Sequence, residues 1–112
     1  MKGDFHMIAR VFALGLALFL VGAPAVAQDR AALIAQGQLL FRGQGCYGCH
    51  IVGKVGTPIA SDLSRVGGKY KEAYLLQWLK DPASQKPTAH MPKIAMTEAD
   101  ARALAAWLAS LR

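Results

Sequence analysis

Apolar positions recur at helical spacing in three stretches of the chain, and no stretch alternates as a half-buried strand would. The first runs from Asp29 to about Arg42, with Leu33, Gly37, Leu40 and Phe41 on one face. Asp29 is expected to cap its N-terminus, and Gly43 and Gly45 to end it. Gly37 in mid-helix costs about 1 kcal/mol against alanine; a helix that accepts this cost often lets a second helix come close. The second stretch, Tyr70 to Lys80, carries Tyr74, Leu75, Trp78 and Leu79 as its stripe and stops at Asp81-Pro82. The third starts at Thr97, where Thr97-Glu98-Ala99-Asp100 resembles a capping box. Its apolar positions are Leu104, Trp107, Leu108 and Leu111, with Glu98, Arg102, Ala105 and Arg112 expected on the other side. The first helix is its expected partner, with Gly37 and Phe41 against the Leu104–Trp107 face.

The connections carry other signals. Residues 51–69 are rich in glycine and have no sustained period, which predicts a loop with one helical turn near Ser61 to Arg65. Ile51, Val52, Ile59, Leu63 and Val66 have no sheet to join, so they are expected to cover an apolar ligand. From Pro82 to Met96 no period exists, and Pro82, Pro87 and Pro92 stiffen the chain. A long irregular loop in a small domain is usually functional, and this one holds His90-Met91-Pro92.

The N-terminus reads differently. Residues 1–27 have a short basic head (Lys2, Arg10), an apolar run from Val11 to Val21, and Ala25-Val26-Ala27. That is the layout of a secretory signal with an A-x-A cleavage site. An uncleaved anchor is the alternative, although the run is shorter than the roughly 20 residues a membrane span needs. Residues 28–112 would then form one small domain exported to the periplasm. With 13 basic and 7 acidic residues the whole chain has a net charge of +6. A domain of this size buries a modest core, so a large apolar ligand tied to the chain would add to it.

Chemistry concentrates at Cys46-Tyr47-Gly48-Cys49-His50, which holds both cysteines of the chain. C-x-x-C-H is the attachment signature of a c-type haem. Two thiols at this spacing can each add to one vinyl group of a porphyrin. The histidine that follows is carried to the face of the ring, where its imidazole can bind iron. The same residues admit other readings. A thioredoxin-like redox pair would sit in a βαβ pattern, which is missing from the sequence. A structural zinc needs four ligands, and outside the motif residues 28–112 offer His90 but no further cysteine. A disulfide across two residues would close too short a loop to constrain the chain.

If His50 binds iron, Met91, His90 and Met96 are the candidates for the opposite position. Met96 directly precedes the capping threonine, where a staple residue belongs, and is expected in the core. Met91 precedes a proline in a stiff loop and is favoured; a thioether is a soft ligand that raises the potential. Trp78 belongs to a stripe that is more often core than cofactor contact. Here a haem would itself be much of the core, so Trp78 is expected in the haem surroundings.

At this point the chain resembles a small class I cytochrome c of bacterial type. The resemblance rests on Gly37 and Phe41, C-Y-G-C-H at 46–50, Gly56-Thr57-Pro58, W-L-K-D-P at 78–82, Met91-Pro92 and L-A-A-W-L at 104–108. It implies an all-α fold in which three main helices wrap one covalent haem c, the first and last crossing. It implies Cys46 and Cys49 as thioether sites, His50 and Met91 as axial ligands, and the Pro58 carbonyl as the group that orients His50. Thr57 separates Gly56 from Pro58, where the family often has Gly-Pro directly. The motif near the N-terminus argues against the four-helix cytochromes. The implied role is a one-electron carrier rather than an enzyme. Lys54, Lys69, Lys71, Lys80, Lys86 and Lys93 would steer it to acidic redox partners. No aromatic–basic pattern points to nucleic acid. Two alternatives stand beside this reading: a haem subunit of a larger dehydrogenase or oxidase, and a haem protein with an open iron site that binds small ligands.

Overall fold

The computed structural model describes residues 25–112. The expected signal segment falls mostly on residues outside this range. Helix α1 spans Ala25–Gly43, and a 3-10 turn follows at Cys46–Gly48. Strands β1 (Ile51–Val52) and β2 (Val55–Gly56) pair antiparallel as a minimal hairpin. Helix α2 (Val66–Lys69), α3 (Glu72–Lys80), α4 (Pro82–Gln85) and α5 (Glu98–Ser110) complete the described chain. The architecture is mostly helical, as the apolar spacing predicts.

α5 is the centre of the fold. Thr97 caps it by accepting a hydrogen bond at Oγ1 from the Asp100 N–H at 3.1 Å, as its sequence predicts. Its expected two-sidedness holds for Glu98, Arg102 and Arg112, which are exposed, and fails at Ala105. Ala101, Ala103, Ala105 and Ala106 are buried along with Leu104, Trp107 and Leu108. Ala105 therefore faces packed neighbours rather than the polar side assigned to it. The reason is that α5 has a partner on more than one side: α1 packs against it most extensively, α3 next, and α2 also touches it. Small residues let those helices come in together.

The α1–α5 crossing is where Gly37 matters. A Cβ there would run into the Ala103 carbonyl oxygen and the Trp107 side chain. The glycine therefore permits an approach that no other residue allows. One turn on, Phe41 is 2% exposed. Its ring lies 4.8 Å from that of Trp107 and, edge-on, 4.8 Å from that of Tyr47. Such aromatic pairs add about 0.5–1.5 kcal/mol beyond buried area. Phe41 thus joins the helical core to the residue between the two cysteines.

Several boundaries differ from the sequence reading. α1 begins at Ala25, so Asp29 lies inside the helix instead of capping it. The helical turn expected at Ser61 to Arg65 forms one turn later, at Val66–Lys69. α3 starts at Glu72 with Lys71 as its extended cap residue, two residues after Tyr70. Ile51 and Val52 do have a sheet to join, though each strand is two residues long. Two residues are too few to show a period of two. Ion pairs tie the helices at the surface: Arg30 of α1 with Glu72 of α3, and Lys80 of α3 with Glu98 of α5, at 3.0 Å in the second case. No helix among the described residues is long and apolar enough to cross a membrane.

Candidate functional site

The 3-10 turn sets the two thiols. Gly45 takes a left-handed backbone (φ 76°) that ends the run from α1. The N–H groups of Cys49 and His50 then both reach back to the Cys46 carbonyl, at 3.2 and 3.0 Å. This curl brings Cys46, Cys49 and His50 to one wall of a cavity of about 830 Å3. Both cysteines are free thiols. Burial pushes the Cys46 thiol above its ordinary pKa, with a smaller opposing effect from its own backbone.

His50 is held from behind. Its Nδ1 lies 2.7 Å from the Ser61 carbonyl oxygen. A carbonyl only accepts, so Nδ1 carries the proton and donates it, leaving the Nε2 lone pair free. This corrects the expectation for Pro58: the acceptor is Ser61, three residues on. Pro58 does not line the cavity, whereas Ile59, Ala60 and Ser61 do. The physical reason lies in the backbone pairing. Ala60 N–H donates to the Cys49 carbonyl at 2.7 Å and Leu63 N–H to the Ile51 carbonyl at 2.8 Å. Those two bonds flank His50 and put Ser61 opposite its ring. Nothing in the one-dimensional spacing marks Ser61, since its role rests on a main-chain atom. Gly56 helps: at φ 115° its backbone passes so near the His50 carbonyl that a Cβ would overlap it.

The far wall comes from α3 and the loop after α4. Tyr74, Leu75 and Trp78 line it from α3, Tyr70 from just before that helix, and Met91, His90 and Ile94 from the loop. Tyr70 and Tyr74 stack with centroids 4.9 Å apart, and Trp78 follows one turn on, 6.3 Å from Tyr74. The Trp78 indole N–H donates to Met91 Sδ at 3.1 Å. Met96 does not border the cavity; it packs against the core, as its place before the cap predicts. His90 borders the cavity and is exposed.

Of the six lysines, Lys69 and Lys86 border this cavity. Lys80 is paired with Glu98. Lys71 lines a separate surface cavity with Arg30 and Arg112, so the basic residues are spread over more than one face.

A cavity of this volume fits a cofactor, and its donors fit a haem. Two thiols, an imidazole whose Nε2 is left free, and a thioether all belong to residues that line one largely apolar space. The chain belongs to the cytochrome c family: residues 34–112 match the model of the family described as Cytochrome c. That family binds its haem covalently, uses it for electron transfer, and has redox proteins as partners. Among characterised proteins the chain is similar to cytochrome c oxidase subunit 2 of Alkalihalophilus pseudofirmus, 35% identical over 89 residues. The match covers 71% of this chain and 26% of that protein, so the chain spans about a quarter of that relative's length. No solved structure matches it.

Proposed function

We propose that the protein is a periplasmic one-electron carrier with a single haem c held by Cys46, Cys49, His50 and Met91. The observation that carries this reading is the His50 Nδ1–Ser61 bond of 2.7 Å, which leaves Nε2 free in a cavity shared with both thiols and Met91. Cys46 and Cys49 offer Sγ for two thioether links. His50 offers Nε2, and its N–H bond to Ser61 makes the imidazole a stronger donor. Met91 offers Sδ from the opposite wall, where the Trp78 N–H fixes its direction. A haem bound there supplies reversible one-electron redox chemistry at iron. If His50 and Met91 both held its iron, no position would be left for a substrate, and the protein's work would be to set the potential and exclude water. On this reading α1, α3 and α5 are the three helices around the cofactor. Lys69 and Lys86 at the cavity rim would favour acidic partner surfaces.

The test is a visible spectrum of the protein produced with its leader in a periplasm that attaches haem. Expected are a c-type reduced spectrum, a weak far-red methionine band when oxidised, and no change when carbon monoxide meets the reduced form. A carbon monoxide shift would favour an open iron site, and absence of covalent haem would overturn the reading. A second reading follows from the match to an oxidase subunit: the domain serves within a respiratory complex. Co-purification with a membrane oxidase under mild detergent would support it, and a lone monomer on gel filtration would oppose it.

A further inference from the structure

Behind His50 lies a set of hydrogen bonds that the electron-carrier reading does not use. Ser64 is its hub. The Ser64 hydroxyl donates to Asp62 Oδ1 at 2.6 Å and the Ser64 N–H donates to the same oxygen at 2.9 Å. The Ser64 Oγ in turn accepts the Gly53 N–H at 2.8 Å. These two bonds to Ser64 hold the Asp62 carboxyl below the usual carboxylate range, the hydroxyl bond contributing most. Asp62 is therefore an acceptor only, and the direction of every bond in the set is fixed.

The set spans two segments. Gly53 stands in the turn of the β1–β2 hairpin, three residues after His50. Asp62 and Ser64 follow Ser61, whose carbonyl His50 uses. One serine therefore closes the far end of the pairing that places Ser61 opposite the imidazole. Without it, Leu63 N–H to Ile51 O is the last tie on that side.

We propose that Ser64, clamped to Asp62, is a positioning residue for His50: it holds the Ser61 carbonyl against Nδ1–H and so sets how strongly His50 donates to a haem iron. The inference rests on His50 as an axial ligand. A histidine that ligates a metal is tuned by the acceptor of its other N–H. A firm acceptor gives the ring imidazolate character, favours oxidised iron and lowers the potential. A loosened acceptor does the reverse.

The experiment uses the full chain matured with haem, as wild type, Ser64→Ala, Ser64→Thr and Asp62→Asn. The His50 Nδ1–H exchange rate is read by NMR in the reduced form, and the potential by titration. Ser64→Ala is expected to speed exchange about tenfold, the weight of one hydrogen bond, and to raise the potential. Ser64→Thr keeps the hydroxyl and should restore both values. Asp62→Asn keeps an acceptor oxygen while losing the charge, so exchange should stay near wild type even if the potential moves. Wild-type exchange and potential in Ser64→Ala would overturn the proposal. So would a Ser64→Thr protein that behaves like Ser64→Ala. A wild type that carries no His50-ligated haem would instead overturn the electron-carrier reading, and its spectrum reports that separately.

Discussion

The indole N–H of Trp78 donates to the sulfur of Met91 across 3.1 Å, linking a residue of α3 to the loop after α4. Few donors could do this. A tryptophan N–H only donates and a thioether sulfur only accepts, so the pair has one direction and one geometry. The bond draws electron density from the lone pairs that Met91 would offer to iron.

Trp78→Phe keeps the ring and removes the donor. With Met91 as ligand, the sulfur then donates more fully and oxidised iron is favoured. The expected result is a lower reduction potential with covalent haem retained and the far-red band still present. Potentiometric titration of the two proteins checks this, and an unchanged or raised potential would show that the bond does not tune the site.

Met91→Ala should keep the covalent haem, since both thiols and His50 are untouched. It should lower the potential and open the sixth position. Carbon monoxide added to the reduced variant should shift its spectrum where it leaves the wild type unchanged. The matching His90→Ala change should do neither.

Gly37→Ala tests the helix crossing. The added methyl meets the Ala103 carbonyl and Trp107, neither of which can move without shifting a helix. The usual gain in helix propensity, about 1 kcal/mol, is then outweighed by overpacking of about 1–3 kcal/mol. Thermal unfolding followed by circular dichroism should show a lower midpoint. A raised midpoint would mean the helices can part at little cost.

Glu72 gives a pH signature. The Arg30 guanidinium, first through its hydrogen bonds and then through its charge, holds the Glu72 carboxyl below the usual range. A carboxyl depressed in the folded state adds stability above its unfolded pKa and loses it as pH falls through the folded value. Glu72→Gln should therefore unfold at a slightly lower temperature at pH 7 and match the wild type near pH 3. Both side chains are well exposed, so solvent screening limits the effect to about 0.5 kcal/mol. An equal difference at both pH values would exclude the ion pair as its cause.

Much of this could be read from residue types alone. The helical stripes and the Thr97 cap each depend on side chains at short spacing, and the structure has the three long helices and the cap, with some bounds shifted. What stayed hidden depends on the main chain or on burial by distant segments. Ser61 serves through its carbonyl, which every residue has, so no letter in the sequence marks it. Pro58 is what the family resemblance implies, yet the pairing of Ala60 with Cys49 and of Leu63 with Ile51 moves the acceptor three residues on. Ala105 looked like part of a polar face because alanine carries little hydrophobic signal. Only the arrival of several helices on α5 makes it core. Asp29 resembled a cap because a good capping residue does not reveal whether the helix already began before it.

The burial of α5 on several sides has a mechanical consequence. α1, which leads into the two thiols and His50, and α3, which carries Trp78 toward Met91, pack chiefly on α5 and far less on each other. On the proposed ligation, the two sides of the iron therefore belong to limbs joined chiefly through one spar, beside the exposed Arg30–Glu72 pair. Loosening that spar would let the limbs part, and the weaker iron bond, to sulfur, would yield first. The far-red band would then act as a strain gauge, fading under mild denaturant while the thioethers still hold the haem to the other limb.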